Sequence, residues 1–182
     1  MRNMEILRNS LETLADKDNC IFSVSSFHSL FPQLSKYALN TLVSRAAAKG
    51  LLTSLCKGYY IYQKANECRG YELFRLAAHL REGCLCYLSL ENVLSEAGII
   101  SQIPVNYAAF MTNGRSGKIK CSNFGTIEFI HTKKDINALA KYLIYDKEYR
   151  IWKASVPLAY RDMLNTKRPL DLIDEEALHE FI

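Results

Sequence analysis

Between Asn19 and Asn66 the chain has no aspartate or glutamate, yet it carries Lys36, Arg45, Lys49, Lys57 and Lys64. A surface that lies against phosphates excludes carboxylates, because each would repel the backbone and retain counterions. The gap therefore points to nucleic acid. Other absences narrow the class. No apolar run reaches the ~18 residues of a membrane span. The N-terminal segment MRNMEILRNSLETLADKD is charged throughout and lacks the apolar stretch of a signal peptide. The six cysteines (Cys20, Cys56, Cys68, Cys84, Cys86, Cys121) include no CxxC pair, and no histidine lies near a Cys pair, so a structural zinc site is excluded. Neither GxxxxGK[ST] nor GxGxxG occurs. There is no internal repeat and no low-complexity tract. The expectation is a cytoplasmic protein with free buried thiols, no metal, no cofactor and no enzymatic activity.

The charge is unevenly divided. Residues 1–82 hold 11 Lys and Arg against 7 Asp and Glu, while residues 83–182 hold 12 against 12, so the whole excess of +4 sits in the first part. Apolar spacing predicts a helix from Met4 to Leu14 and a short helix capped by Ser25 or Ser26, holding Phe27, Leu30 and Phe31 and stopped near Pro32. A longer helix runs from its cap at Ser35 to about Lys49, with Gly50 as its stop. Strands at Leu51–Cys56 and Tyr59–Gln63 follow, joined across Lys57-Gly58. Helix, turn, helix and hairpin, without negative charge from Asn19 to Asn66, is the pattern of a winged helix-turn-helix, and the domain is placed at residues 1–66. The polar residues 66–70 mark a boundary, and residues 71–182 read as a mixed α/β domain. The fold class is α+β.

In the Ser35 helix, Leu39, Leu42, Val43, Ala46 and Ala47 take the core spacing. The opposite face presents Lys36, Tyr37, Asn40, Thr41 and Ser44, with Arg45 at its margin. Asn can bond adenine bidentately, Ser and Thr can bond bases or phosphates, and Arg prefers guanine or phosphate. The hairpin tip offers Lys57, with Tyr59 beside it. The candidate DNA-binding set is therefore Ser35, Lys36, Tyr37, Asn40, Thr41, Ser44, Arg45, Lys57 and Tyr59. The bland alternative is a solvated polar face on a winged helix that binds protein.

In the second half, helices are expected at Glu72–Arg81 and Glu91–Ala97, with a strand at Leu85–Leu90 between them. The β text then runs Tyr107–Thr112, Lys118–Cys121 and Thr126–His131. Further helices are expected at Ile136–Ile144, along the stripe Val156, Ala159, Tyr160, Met163 and Leu164, and after the cap Asp174. The segment Asn113–Gly117 reads as a hairpin turn. With Lys118 and Lys120, its Arg115 makes an exposed basic tip able to touch nucleic acid or an acidic partner. Glu91, Glu96, Glu128, His131 and Lys133 suggest a metal-dependent nuclease as an alternative, although no PD…(D/E)xK spacing is present. Glu91 and Glu96 do not share a helix face well, and Glu128 should point away from them.

The segment LSKYALNTLVSRAAAKGLLTSLCKGYYIY resembles the N-terminal winged helix of the AbiEi-type antitoxins. These are transcriptional regulators of type IV toxin–antitoxin, or abortive infection, systems. The likeness lies in Ser44-Arg45, Ala46–Ala48, Gly50-Leu51 and Gly58-Tyr59. A more distinctive block, YLSLENVLSEAGIISQIP (Tyr87–Pro104) followed by MTNGRSGKIKCSNFGTIEFIHT (Met111–Thr132), resembles the region after the winged helix in the same regulators. The resemblance implies a repressor that binds inverted repeats in its own promoter as double-stranded DNA. It also implies a second domain that counteracts a cognate nucleotidyltransferase-like toxin, without requiring a stable complex. A stand-alone transcription factor remains the plainer alternative.

Overall fold

The computed structural model describes residues 2–65, 70–102 and 105–182. The chain divides into two compact units, Met1–Gly70 and Tyr71–Ile182. Of the boundary segment read at 66–70, only Gly70 lies within the described residues.

The first unit opens with α1 (Arg2–Leu14), which buries Leu7 and Leu11. Strand β1 (Ile21–Ser23) follows. The short helix expected around Phe27 is instead a 3₁₀ turn at Ser25–Phe27, continued by further i→i+3 bonds from Leu30 to Phe27 and from Phe31 to His28. The cause is local. Ser23 Oγ accepts from the Ser26 amide at 3.1 Å, and Ser26 Oγ donates to the Ser23 carbonyl at 2.6 Å. These side chains compete with the α-helical ladder. Phe27 and Phe31 are still buried.

Helix α2 (Lys36–Ala48) starts where Ser35 Oγ accepts from the Ala38 amide at 3.2 Å. Gly50, at φ +72°, turns the chain out, and the Leu51 amide bonds the Ala46 carbonyl. Strands β2 (Thr53–Cys56) and β3 (Tyr59–Ile61) form the hairpin, with Gly58 at φ +83° in a two-residue turn. The sheet is antiparallel in the order β1-β3-β2. Leu7, Leu11, Phe27, Phe31, Leu39, Val43, Ala46, Leu52 and Tyr62 make its core.

The second unit is a mixed α+β fold around one six-stranded sheet. In chain order come α3 (Glu72–Leu80), β4 (Cys86–Leu88), α4 (Glu91–Glu96), β5 (Tyr107–Thr112), β6 (Gly117–Cys121) and β7 (Gly125–His131). They are followed by α5 (Ile136–Ala140), β8 (Leu143–Asp146), β9 (Ile151–Ala154), α6 (Val156–Asn165) and α7 (Glu175–His179). The sheet order is β6-β7-β5-β4-β9-β8. Strand β5 pairs in parallel with β7, and β4 in parallel with β9, while the remaining pairs are antiparallel. Central β5 is buried from Ala108 to Thr112, as befits a strand covered on both faces. Among the described residues no helix is long and apolar enough to cross a membrane.

Three expectations are corrected. Residues 113–116 do not make a hairpin, because β5 and β6 are not neighbours. The loop passes over the end of β7 instead, where the His131 amide bonds Ser116 Oγ at 2.8 Å and His131 Nδ1 lies 2.8 Å from the Gly114 carbonyl. The helix expected to reach Ile144 stops at Ala140, and Leu143 and Ile144 join β8, which pairs with β9. Long-range pairing overrides the helical spacing there. In α6 the buried row is Leu158, Ala159, Asp162 and Met163, while Leu164 is exposed.

Candidate nucleic-acid interface and two charge centres

Because Leu39, Val43 and Ala46 turn inward, α2 presents Lys36, Tyr37, Asn40, Ser44 and Arg45 to solvent. Residues 36, 40 and 44 stand in one i, i+4 row and 37, 41 and 45 in the next. Tyr37 is 83% exposed, far beyond an ordinary surface aromatic. The expected set is not uniform, however. Ser35 uses its hydroxyl as the helix cap. Thr41 is half-buried and donates its hydroxyl to the Tyr37 carbonyl at 3.0 Å. At the hairpin tip Lys57 is exposed, whereas Tyr59 is half-buried in β3. The Val24 amide bonds the Gly58 carbonyl at 2.9 Å and so pins that tip to the end of β1.

The residues of the expected basic tip are dispersed along an edge. Arg115 is exposed in the loop over β7, and its carbonyl accepts from Arg81 Nη2 at 2.9 Å. Lys118 and Lys120 stand on β6 opposite Glu128 and Thr126. Lys118 is not free, because its ammonium lies 3.3 Å from Glu128 Oε1, and that hydrogen bond raises its pKa. Lys120 and Arg115 keep exposed side chains.

Glu128 belongs to a centre that the residue pattern did not reveal. Its carboxylate accepts from Tyr107 Oη and Arg168 Nη2, and the Arg168 Nη1 lies 3.5 Å from Glu91 Oε1. Burial alone would raise the Glu128 pKa, but the hydrogen bonds from Tyr107 and Arg168 outweigh it and hold the carboxyl below its usual value. Arg168 thus stands between Glu91 and Glu128. Glu96 pairs with Lys153 on β9, and His131 faces the Gly114 carbonyl. Glu91 and Glu128 thus converge on one arginine, against the expectation that Glu128 points away from Glu91, whereas Glu96 and His131 go to other partners. Among the described residues no group of three or more His, Cys, Asp or Glu is placed to hold a metal ion.

A second centre surrounds Asp162, which is fully buried. It accepts from Tyr87 Oη at 3.1 Å, Ser89 Oγ at 2.8 Å and Lys134 Nζ at 2.6 Å. Burial, followed by the Asp162 charge, raises the Tyr87 pKa. Three donors on one buried carboxylate tie β4, the segment after β7 and α6 together, which fits a structural network. One signal was visible in the sequence: an aspartate inside the apolar stripe of α6. Arg168 carried none, since it lies beyond the helix in a polar segment.

No family model, no curated protein and no solved structure matches this chain.

Proposed function

We propose that the first unit is a winged helix-turn-helix and that the protein is a DNA-binding transcriptional regulator. The observation that carries this reading is the exposed face of α2, where Lys36, Tyr37, Asn40, Ser44 and Arg45 stand together in a stretch with no carboxylate from Asn19 to Asn66. The element order also supports it: helix, strand, turn, helix and hairpin, closed by an antiparallel β1-β3-β2 sheet. In this reading α2 enters the major groove and its first turns meet base edges. Lys57 meets a phosphate or the minor groove, and the positive charges release counterions from the duplex.

The resemblance to the AbiEi-type antitoxins supports the rest of the proposal. The regulator would repress its own operon from inverted repeats in the promoter. The second unit would counteract a nucleotidyltransferase-like toxin, and this requires no stable complex between the two. Gel-shift titration tests the DNA arm. Its own promoter should bind more tightly than a random duplex of equal length, and affinity should fall steeply with salt. Equal binding to both duplexes would defeat the claim of specificity.

A further inference from the structure

We infer that the open groove between α1 and α2 seats a phosphate ridge of duplex DNA, so that α1 forms the second half of the nucleic-acid interface. The inference rests on the duplex-binding reading of α2. Helix α1 buries Leu7 and Leu11, and its outward row carries Arg2, Glu5 and Arg8 at steps of three, all exposed. Across from it stand Tyr37 and Arg45 of α2 and Lys49 at its C-cap. These six side chains line one groove of about 1050 Å³.

Charge identifies the occupant. Arg2, Arg8, Arg45 and Lys49 face a single carboxylate among the lining residues, that of Glu5. Among the described residues none of the four cations is held in an ion pair. Shape agrees with charge. The groove follows α1 from Arg2 to Asn9 and α2 from Tyr37 to Lys49, about 10 Å and about 18 Å of helix respectively. That is a trough for a linear polyanion. A helix with its side chains, about 10–12 Å across, fills a major groove about 12 Å wide. An element lying alongside the reading helix therefore meets the phosphates that border the groove. The arginines of α1 supply affinity there and no base readout. Glu5 opposes them.

Fluorescence anisotropy on the full-length protein tests this, with a labelled duplex from upstream of its own gene and a shuffled duplex of equal length, across about 50–200 mM salt. Arg2→Ala combined with Arg8→Ala should flatten the slope of log K against log salt by about two units on both duplexes alike, near 0.9 per phosphate. Glu5→Gln should tighten both duplexes by about two- to fivefold, a rim-charge effect. A folding defect cannot produce that gain, so Glu5→Gln decides the matter even if the arginine variant is unstable. If the wild type binds, and neither variant changes affinity or slope, the groove holds no phosphate and the reading of α2 stands alone. If the wild type binds neither duplex, both inferences fall together.

Discussion

Asn40 and Lys57 offer DNA different chemistry, and substitution separates them. An amide on the exposed row of α2 can make a bidentate bond to a base edge, whereas an ammonium at a hairpin tip meets a phosphate as a point charge. Asn40→Ala should cost about 1–3 kcal/mol on the specific duplex and relax base preference, while Lys57→Ala should weaken all duplexes evenly and flatten the salt slope by about one unit. Titrations in which the two variants behave alike on specific and random DNA would remove α2 from the groove. In the second unit Glu128 has a lowered pKa and so links stability to pH. Despite its burial, hydrogen bonds from Tyr107 and Arg168 and the nearby Lys118 hold its pKa below the usual value. A carboxyl with a depressed folded pKa contributes stability above its unfolded value, about 4.3, and loses it as pH falls through the folded value. Glu128→Gln should therefore lower the urea midpoint at pH 7, and the gap to the wild type should close as pH drops below about 4.3. A gap of constant size down to strong acid would mean that the centre's charge contributes nothing.

Elements of the second unit are fixed by close backbone approaches as much as by apolar faces. Gly125 opens β7 at φ +122°, and a methyl group there would stand 2.0 Å from the Asn106 carbonyl oxygen. That oxygen also accepts from the Thr126 amide at 2.9 Å, so it cannot retreat without breaking the start of the β5–β7 pairing. Gly125→Ala should cost more than about 2 kcal/mol, whereas Gly117→Ala, with open space around it and no positive φ, should stay within about 0.5 kcal/mol. Equal urea midpoints for the two variants would contradict this account. The same distinction explains what the sequence could disclose. Helices α1 and α2 and strand β5 were legible because periodicity, caps and Gly50 are local signals. The β5–β7 neighbourhood was not, because nothing in Asn113–Gly117 says that a third strand will slide between the two it joins. Strand β9 was missed for a similar reason: Ile151–Ala154 is short, and its partner β8 carried a helical spacing. At the candidate site, the exposed row of α2 could be read from the spacing of Leu39, Val43 and Ala46. The capping role of Ser35, the internal bond of Thr41 and the Lys118–Glu128 pair depend on contacts, and only the folded chain reveals them.

At the scale of the whole molecule, two units with separate cores and unequal charge imply separable work. The first unit has its own apolar core and the acid-free stretch. The second closes its own sheet around Phe110 and Phe129, whose rings lie 5.9 Å apart. Residues 1–70 alone should bind DNA and leave toxin-expressing cells unrescued, while residues 71–182 alone should rescue them without binding DNA. Rescue by the first fragment would contradict the division. Within the second unit, Arg115 and Lys120 are the cations to reverse. Lys118 must be left intact, because its pairing with Glu128 would confound a surface effect with a loss of stability. Reversal of Arg115 and Lys120 should abolish rescue and leave operator binding within about threefold, since well-separated sites act nearly independently. A reversal variant that rescues as well as the wild type would show that this edge is only a solvated surface. Such a result would leave the proposed nucleic-acid interface untouched, because α1, α2 and the hairpin tip all belong to the first unit.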